Sequence, residues 1–412
     1  MNTEQAVIIK KKFERTVHMN RDNRLTIKVM AFVVAIFIII GGGVFLIENN
    51  YQTHRFSYPH LKVKKWQADT KPLISKQEFQ HDLQQVSRSN GSNISFDQIQ
   101  SIVIPGLRGA WSINHKTQQP VLGRDWVPQG LAQNDKYFFV SAYDGKHKLD
   151  SVIFVISKST EKYVRTIILP SKSHVGGITY DYQNKHLWVS NDHQKFAGLL
   201  MFNDHEIDSH NASAQKKPIK GKSFNLPWAA KTSGLNYFNY QLVVVKYGKD
   251  RNSRSVITMP FNKQGLPKQP SIAELKKIMN HHSSKQTIQG LIDDDLIQSM
   301  APGYDRMQGL ATTTRGLSIF SQSNGDANSN ILVKVPNQNS GTQFDFFAPA
   351  GGVKTFQVPP AVEQISVNNP HDNRLALLFE SGANKYRKQR SMYVGPYSMI
   401  TDRIVILPIR ER

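Results

Sequence analysis

From about residue 100 onward, short runs of β-branched and aromatic residues alternate with polar loops along the 412-residue chain. Groups of these runs open on a related tripeptide: Gln129-Gly130-Leu131, Gly176-Gly177-Ile178, Ser233-Gly234-Leu235, Gln308-Gly309-Leu310 and Glu363-Gln364-Ile365. About ten residues after each opening comes a strand-like run, at 137–143, 186–192, 241–247, 317–323 and 375–381. After a polar loop a further apolar run follows, at 151–157, 198–203, 255–260, 330–335 and 403–408, and the first group adds another at 163–170. Between the middle residues of successive openings lie 47, 57, 75 and 55 positions. Three or four short strands per unit at this spacing predict an all-β fold, a five- or six-bladed β-propeller over residues 101–412. Residues 101–126 leave the count open, since they can supply either a closing strand or a degenerate blade. A strand donated from the other terminus would remove an exposed sheet edge.

Ahead of the repeats the pattern changes. Residues 29–47 form an uncharged apolar stretch of 19, close to the length needed to span hydrocarbon as a helix. Residues 1–28 carry a net charge of +4, and the far side opens on Glu48. The positive-inside rule then predicts a cytoplasmic tail at 1–28, a single-pass signal anchor at 29–47 and an extracellular remainder at the cell membrane. A cleaved signal peptide would have a shorter apolar region and a small-residue exit, whereas the exit here is Phe45-Leu46-Ile47. Residues 48–100 read as a polar linker and a short stalk helix. That helix starts at the capping box Ser75-Lys76-Gln77-Glu78 and places Phe79, Leu83 and Val86 on one face. A second box, Ser271 to Glu274, predicts a helical insertion at about 271–300 that explains the longest interval, with Ile272, Leu275, Ile278 and Met279 on its packing face. His281 and His282 lack ligand partners one turn on, and Asp293-Asp294-Asp295 lacks the alternating oxygens and glycine of a calcium loop.

Composition narrows the chemistry. There is no cysteine, so disulfides, thiolate metal sites and cysteine nucleophiles are excluded, and a Gram-positive bacterial surface suits a large disulfide-free external domain. The net charge is +21, of which +17 falls on residues 29–412. A surface this basic attracts anionic polymers. Outside a cell those are envelope polymers and the lipid surface, so no nucleic-acid partner is expected. A basic habitat that merely retains the protein by charge is the plainer explanation. No nucleophile elbow, P-loop, H-E-x-x-H or G-x-G-x-x-G pattern occurs.

Pro128-Gln129-Gly130, His174 through Ile178, the run at 187–192, Met307-Gln308-Gly309 with 320–325, and residues 379–387 together resemble bacterial extracytoplasmic propellers distantly similar to the strictosidine-synthase and gluconolactonase-like families. The resemblance covers roughly residues 100–410. Lactonase-like relatives would imply a divalent cation in the central tunnel held by Glu, Asn and Asp; no such ligand set aligns here, and no cofactor is assigned.

In an up-and-down blade the start of the innermost strand and the end of the second strand share one face. That geometry groups Gln129, His174, Gln308, Glu363 and Gln364 with Tyr143, Asp144, Asn191, Asp192, Tyr247, Asn324, Glu380, Lys385, Tyr386 and Arg387. Such a ring can take a polar ligand or an ion. Each member also has a plain structural use: the glutamines can satisfy backbone groups of the next blade, and the tyrosines can pack. His174 can simply allow close backbone approach beside its two glycines. Glu380 ends a strongly apolar run, where it can act as ligand or base, or pair with Lys385 or Arg387. Two readings follow. One is a membrane-anchored, non-enzymatic surface propeller that binds an anionic wall polymer or a partner protein. The other is a metal-dependent lactonase-like hydrolase working in the tunnel.

Overall fold

The computed structural model describes residues 11, 27–46, 56–89, 96, 99–193, 196–229, 231–280, 283–313, 316–334, 353–367, 374–390 and 399–408. The chain divides into two units, one of residues 1–57 with 388–394, the other of residues 58–387 with 395–412.

In the first unit, helix α1 (Ile27–Leu46) is 20 residues long with a mean hydropathy of 2.8, and none of its span is buried. Phe32, Phe37, Ile38 and Ile39 stand exposed along it, so the helix needs an apolar surrounding. It is long and apolar enough to cross a membrane, a property that signal sequences share.

The second unit is a five-bladed propeller, each blade a four-stranded antiparallel sheet. Helix α2 (Lys76–Ser89) and β1 (Gln100–Val103) precede the hairpin β2 (Ala110–Ile113) and β3 (Pro120–Gly123). Blade 1 is β4 (Trp126–Gln133), β5 (Tyr137–Asp144), β6 (Val152–Ser157) and β7 (Tyr163–Ile168). Blade 2 is β8 (Ile178–Asp181), β9 (His186–Ser190) and β10 (Ala197–Asn203), then, after the short helices α3 (Asp204–Ser209) and α4 (Ala212–Gln215), β11 (Lys222–Leu226). Blade 3 is β12 (Gly234–Phe238), β13 (Gln241–Lys246) and β14 (Ser255–Pro260), then helices α5 (Ile272–Met279) and α6 (Ser284–Asp293) before β15 (Ser299–Ala301). Blade 4 is β16 (Met307–Thr312), β17 (Ser318–Asn324), β18 (Ala327–Lys334) and β19 (Val353–Pro360). Blade 5 is β20 (Val362–Val367), β21 (Arg374–Phe379) and β22 (Arg403–Pro408), and its fourth strand is β1.

Blade 5 therefore settles the count at five. Residues 101–126 give a closing strand, paired Gln100 to Ile406 through Val103 to Arg403, plus a hairpin that makes no blade of its own. The blades hold together by apolar packing between sheets. Trp126, Val140, Phe154 and Ile168 join Ile102, Leu378 and Ile404 across the blade 5–blade 1 seam. Trp188, Leu199 and Leu242 with Met259 do the same between blades 2 and 3.

Helix α2 lies where its capping box places it. The Ser75 hydroxyl accepts the Glu78 N–H at 3.0 Å, and Phe79, Leu83 and Val86 are all buried. The segment before it also packs on the propeller: Trp66 and Ala68 join the blade 1 core, and Trp111 Nε1 donates to the Val63 carbonyl. Burying the Trp66 indole and holding the Val63 carbonyl on the Trp111 N–H gives this stretch a fixed course without regular secondary structure. In the insertion, Ser271 caps α5 as expected, yet of that helix's packing face only Ile278 is buried, while Ile272 and Met279 face solvent. Asp293 to Asp295 close α6, and His281 and His282 lie outside the described residues.

Candidate functional site

The innermost strands β4, β8, β12, β16 and β20 surround the axis, and the backbone at the starts of three of them is irregular. The β4–β5 register shifts between Pro128 and Gly130, β16–β17 between Met307 and Gly309, and β20–β21 between Val362 and Ile365. A bulge adds a residue that the ladder cannot pair, and its side chain is re-aimed. The residues so released are Gln129, Gln308, Glu363 and Gln364. The glycines beside them keep the strands close: a Cβ on Gly130 would meet Ser141 Oγ at 2.4 Å and Ile178 at 2.7 Å. Ser141 and Ser321 each donate across a blade seam, to the carbonyls of Val175 and Glu363 at 2.7 and 2.6 Å.

At this end of the tunnel the bulged residues converge on a pair of carboxyl groups. Gln129 Nε2 donates to Glu380 Oε2 at 2.8 Å, and Gln308 Nε2 to Glu363 Oε1 at 3.2 Å. Glu363 and Glu380 are hydrogen-bonded to one another. Burial raises both pKa values, and Glu363 goes further because it also faces the Glu380 charge. Hydrogen bonds from Tyr386, Gln129 and Glu363 hold Glu380 back. Two desolvated carboxyls this close do not both ionise cheaply, so the raised pKa values favour one proton shared by the pair, taken up more readily by Glu363. Glu363 is 3% exposed, whereas Glu380 is only partly buried, at the mouth of this end of the tunnel.

Rings and cations frame that mouth. Helix α7 (Asn384–Arg390) is tied back by Asn384 Nδ2 donating to Asp125 Oδ1 at 2.6 Å, and it carries Tyr386 to Glu380. Burial, then the carboxyl charges, raises the Tyr386 phenol and pushes Tyr143 up to about 12. His174 stacks on Tyr143 with ring centroids 4.4 Å apart. Desolvation of the ring, followed by repulsion from His147, Lys385 and Lys231, lowers its pKa, although the residue as a whole is exposed. Lys385 Nζ lies 5.5 Å from the Tyr386 ring centre and acts on Glu380 through space rather than as a contact ion pair.

The other candidates of this face organise loops. Asp144 accepts the N–H groups of Lys146, Lys148 and Leu149, and Asn191 Oδ1 accepts from Ser171. Asp192 accepts from Thr232 N at 2.8 Å, and Asn324 Nδ2 donates to the Asn328 carbonyl across its hairpin. Arg387 is buried and donates to the Gly382 carbonyl, with Asp125 and Asp402 nearby in charge. Asp144 and Asn324 serve their own turns, where a carboxylate or amide at the end of a strand is the nearest partner for the turn's free backbone groups, whereas Asn191 and Asp192 tie the end of β9 to the segments before β8 and β12.

The donor set does not fit the divalent centre that the resemblance implies. Two carboxyls share a proton, the glutamines present NH2 groups to them, and no group of three His, Asp or Glu able to hold a metal occurs among the described residues. No step is routed through a metal.

Gln364 blocks the axis. Its Nε2 donates to the Leu235 carbonyl of β12 at 2.7 Å, although β12 does not adjoin β20. The bond therefore crosses the ring. Beyond this partition, toward the ends of the innermost strands, lies a cavity of about 260 Å3. It was not legible as a site, since its wall residues alternate along five strands that each read as core. The only signal was the fifth opening motif, where Gln364 replaces a glycine.

No protein-family model matches the chain, and no curated protein matches it in sequence. Among solved structures it is similar to the PQQ-bound aldose sugar dehydrogenase of Streptomyces coelicolor, at 12% identity over 68% of this chain and 94% of that one, with a TM-score of 0.36. It is also similar to a glucose dehydrogenase-type oxidoreductase of Thermus thermophilus, at 13% identity over 72% and 92%, TM-score 0.34. The WD40 repeats of RRP9 match at 14% identity over 69% and 66%, TM-score 0.31. Similarity this distant carries nothing about activity, and the five-bladed fold rests on the strand pairings themselves.

Proposed function

We propose that this is a membrane-anchored surface propeller, with its N-terminus cytoplasmic and its blades outside, that binds an anionic envelope polymer without transforming it. The observation that carries the reading is the mixed character of the Glu380 mouth. Exposed Lys231 and Lys385 stand around His174, while Glu380 and Gln129 lie inside. A polyol phosphate chain offers phosphates to such a rim and hydroxyl groups to such a floor. The +17 carried by residues 29–412 would draw the polymer in from a distance. Asp144, Asn191, Asp192, Asn324 and Arg387 take no direct part in this reading; they shape the loops around the mouth.

The test is binding of the purified full chain, in micelles, to poly(glycerol phosphate) and to neutral dextran. Affinity for the phosphate polymer should fall at least roughly tenfold between about 50 and 200 mM salt. A Lys231→Glu, Lys385→Glu double variant should weaken it further at low salt, and dextran should bind far more weakly. Equal binding of the two polymers, or no binding at low salt, overturns the reading.

A second reading is acid–base chemistry, favoured by the proton shared between Glu363 and Glu380. Ester or lactone opening by a water, with Glu380 as the base that takes its proton, is the form it would take. Turnover of such esters, lost in Glu380→Gln, would support it.

A further inference from the structure

The cavity beyond Gln364 differs in kind from the mouth at Glu380. None of its lining side chains is charged, in a chain of net charge +21. The carboxylate next to it, Asp181, is occupied by the N–H groups of Gln183 and Asn184 and by the Asn184 amide. A cationic or anionic ligand entering here would lose its hydration without gaining a counter-charge.

What the walls do offer is neutral hydrogen bonding and aromatic surface. Gln133 donates one bond to the Ser366 carbonyl, and Asn236 donates one to Thr312 Oγ1 at 2.9 Å. Each amide carries further donor and acceptor capacity beyond that bond. Of the three lining tyrosines, Tyr237 keeps a buried hydroxyl with no hydrogen-bond partner among the described residues, whereas the other two are committed: Tyr180 donates to Asp204, and Tyr182 to the Val367 carbonyl. These rings therefore present apolar surface to the cavity. Tyr180 and Tyr182 meet edge to face, at 71° with centroids 5.4 Å apart, so they form no parallel slot for a flat heterocycle. A saturated, puckered ring with apolar C–H faces and a girdle of hydroxyls matches that surface. At about 30 Å3 per water, the space equals roughly nine waters, which suits a single such ring.

We infer that this cavity is a second, separate binding site, for one neutral sugar unit. Gln364 isolates it from the carboxyl pair, so the two sites are approached from opposite ends of the axis.

The test is calorimetric titration of the full chain, in a detergent without a sugar headgroup, with glucose, galactose, mannose and N-acetylglucosamine, and with glucose 6-phosphate, glucosamine and uridine as counter-probes. At least one neutral sugar should bind with a Kd below about 10 mM, unaffected by salt. The phosphorylated and aminated sugars should bind at least roughly tenfold more weakly. Asn236→Trp, which fills the cavity, should abolish binding. Thr312→Val, nearly isosteric and so expected to fold, should weaken it several-fold. No sugar binding, charged sugars bound equally well, uridine bound better than every sugar, or full affinity in Thr312→Val would each overturn the assignment.

Discussion

The two ends of the propeller axis are built from the same five strands and differ in nearly every physical property. At the start of those strands, bulges release Gln129, Gln308 and Glu363 to crowd a proton-sharing acid pair, rimmed by Lys231 and Lys385. At their far end the strands run regularly and enclose an uncharged cup of amides and tyrosines. Irregular backbone concentrates titratable groups because a side chain freed from the pleat can be aimed at the axis. Regular backbone distributes its side chains by alternation, and the face that meets the axis is then whatever a core-like pattern supplies.

The partition between the ends is the place to break this contrast. A Cβ on Gly234 would meet the Gln308 carbonyl at 2.6 Å and Gln364 Oε1 at 2.9 Å. Gly234→Val should therefore cost about 3 kcal/mol, the upper range for overpacking, since backbone must yield. Chemical denaturation of the detergent-solubilised chain reads it, and a loss below about 1 kcal/mol would mean the axis is looser than described.

The acid end alone should respond to pH. Glu363 has a folded-state pKa raised above its unfolded value, so the native state holds the extra proton. Its contribution is present at pH values below the unfolded pKa and is lost as pH climbs toward the folded one, by up to ~1.4 kcal/mol per pH unit. Melting temperatures should accordingly decline from mildly acid to neutral pH, and Glu363→Gln, which keeps the size and a donor, should flatten that decline. A wild-type profile parallel to that of the variant would show that the pair does not share a proton.

The mildest change sharpens the comparison instead. Gln364→Ala removes the cross-ring bond to Leu235 at a cost of about 1 kcal/mol and joins the two ends. Its crystal structure should show solvent continuous along the axis; a tunnel still closed would assign the barrier to the glycine-lined backbones.

Much of this architecture is written in local pattern. The opening motifs located every innermost strand, and the capping boxes at Ser75 and Ser271 marked two helix starts, because those features depend on neighbours within a few positions. The grouping of Gln129, Gln308, Glu363 and Glu380 on one face follows from the up-and-down blade. What the pattern does not carry is partner choice. That Gln129 meets Glu380, 251 residues away, while Asp144 turns to its own hairpin, depends on bulges and ring closure that leave no periodic trace. The strand β1 is only half legible: the run from Ser101 can be read as a closing strand or as part of a degenerate blade, and it is the pairing with β22 that makes it complete the sheet begun at Val362.

That strand also governs when the ring can exist. Val103 pairs with Arg403, so the clasp joins a strand made early to one made roughly 300 residues later. Closing so long a loop is slow and carries its entropy cost before any contact repays it. Blades 1 to 4 contain all their own strands and can form as they emerge from the ribosome, whereas blade 5 waits for the last strand. Throughout synthesis β1 is a strand without a sheet, and the growing propeller is an open arc with two bare ends. Translation must pass Ile406 before the five blades can close around an axis.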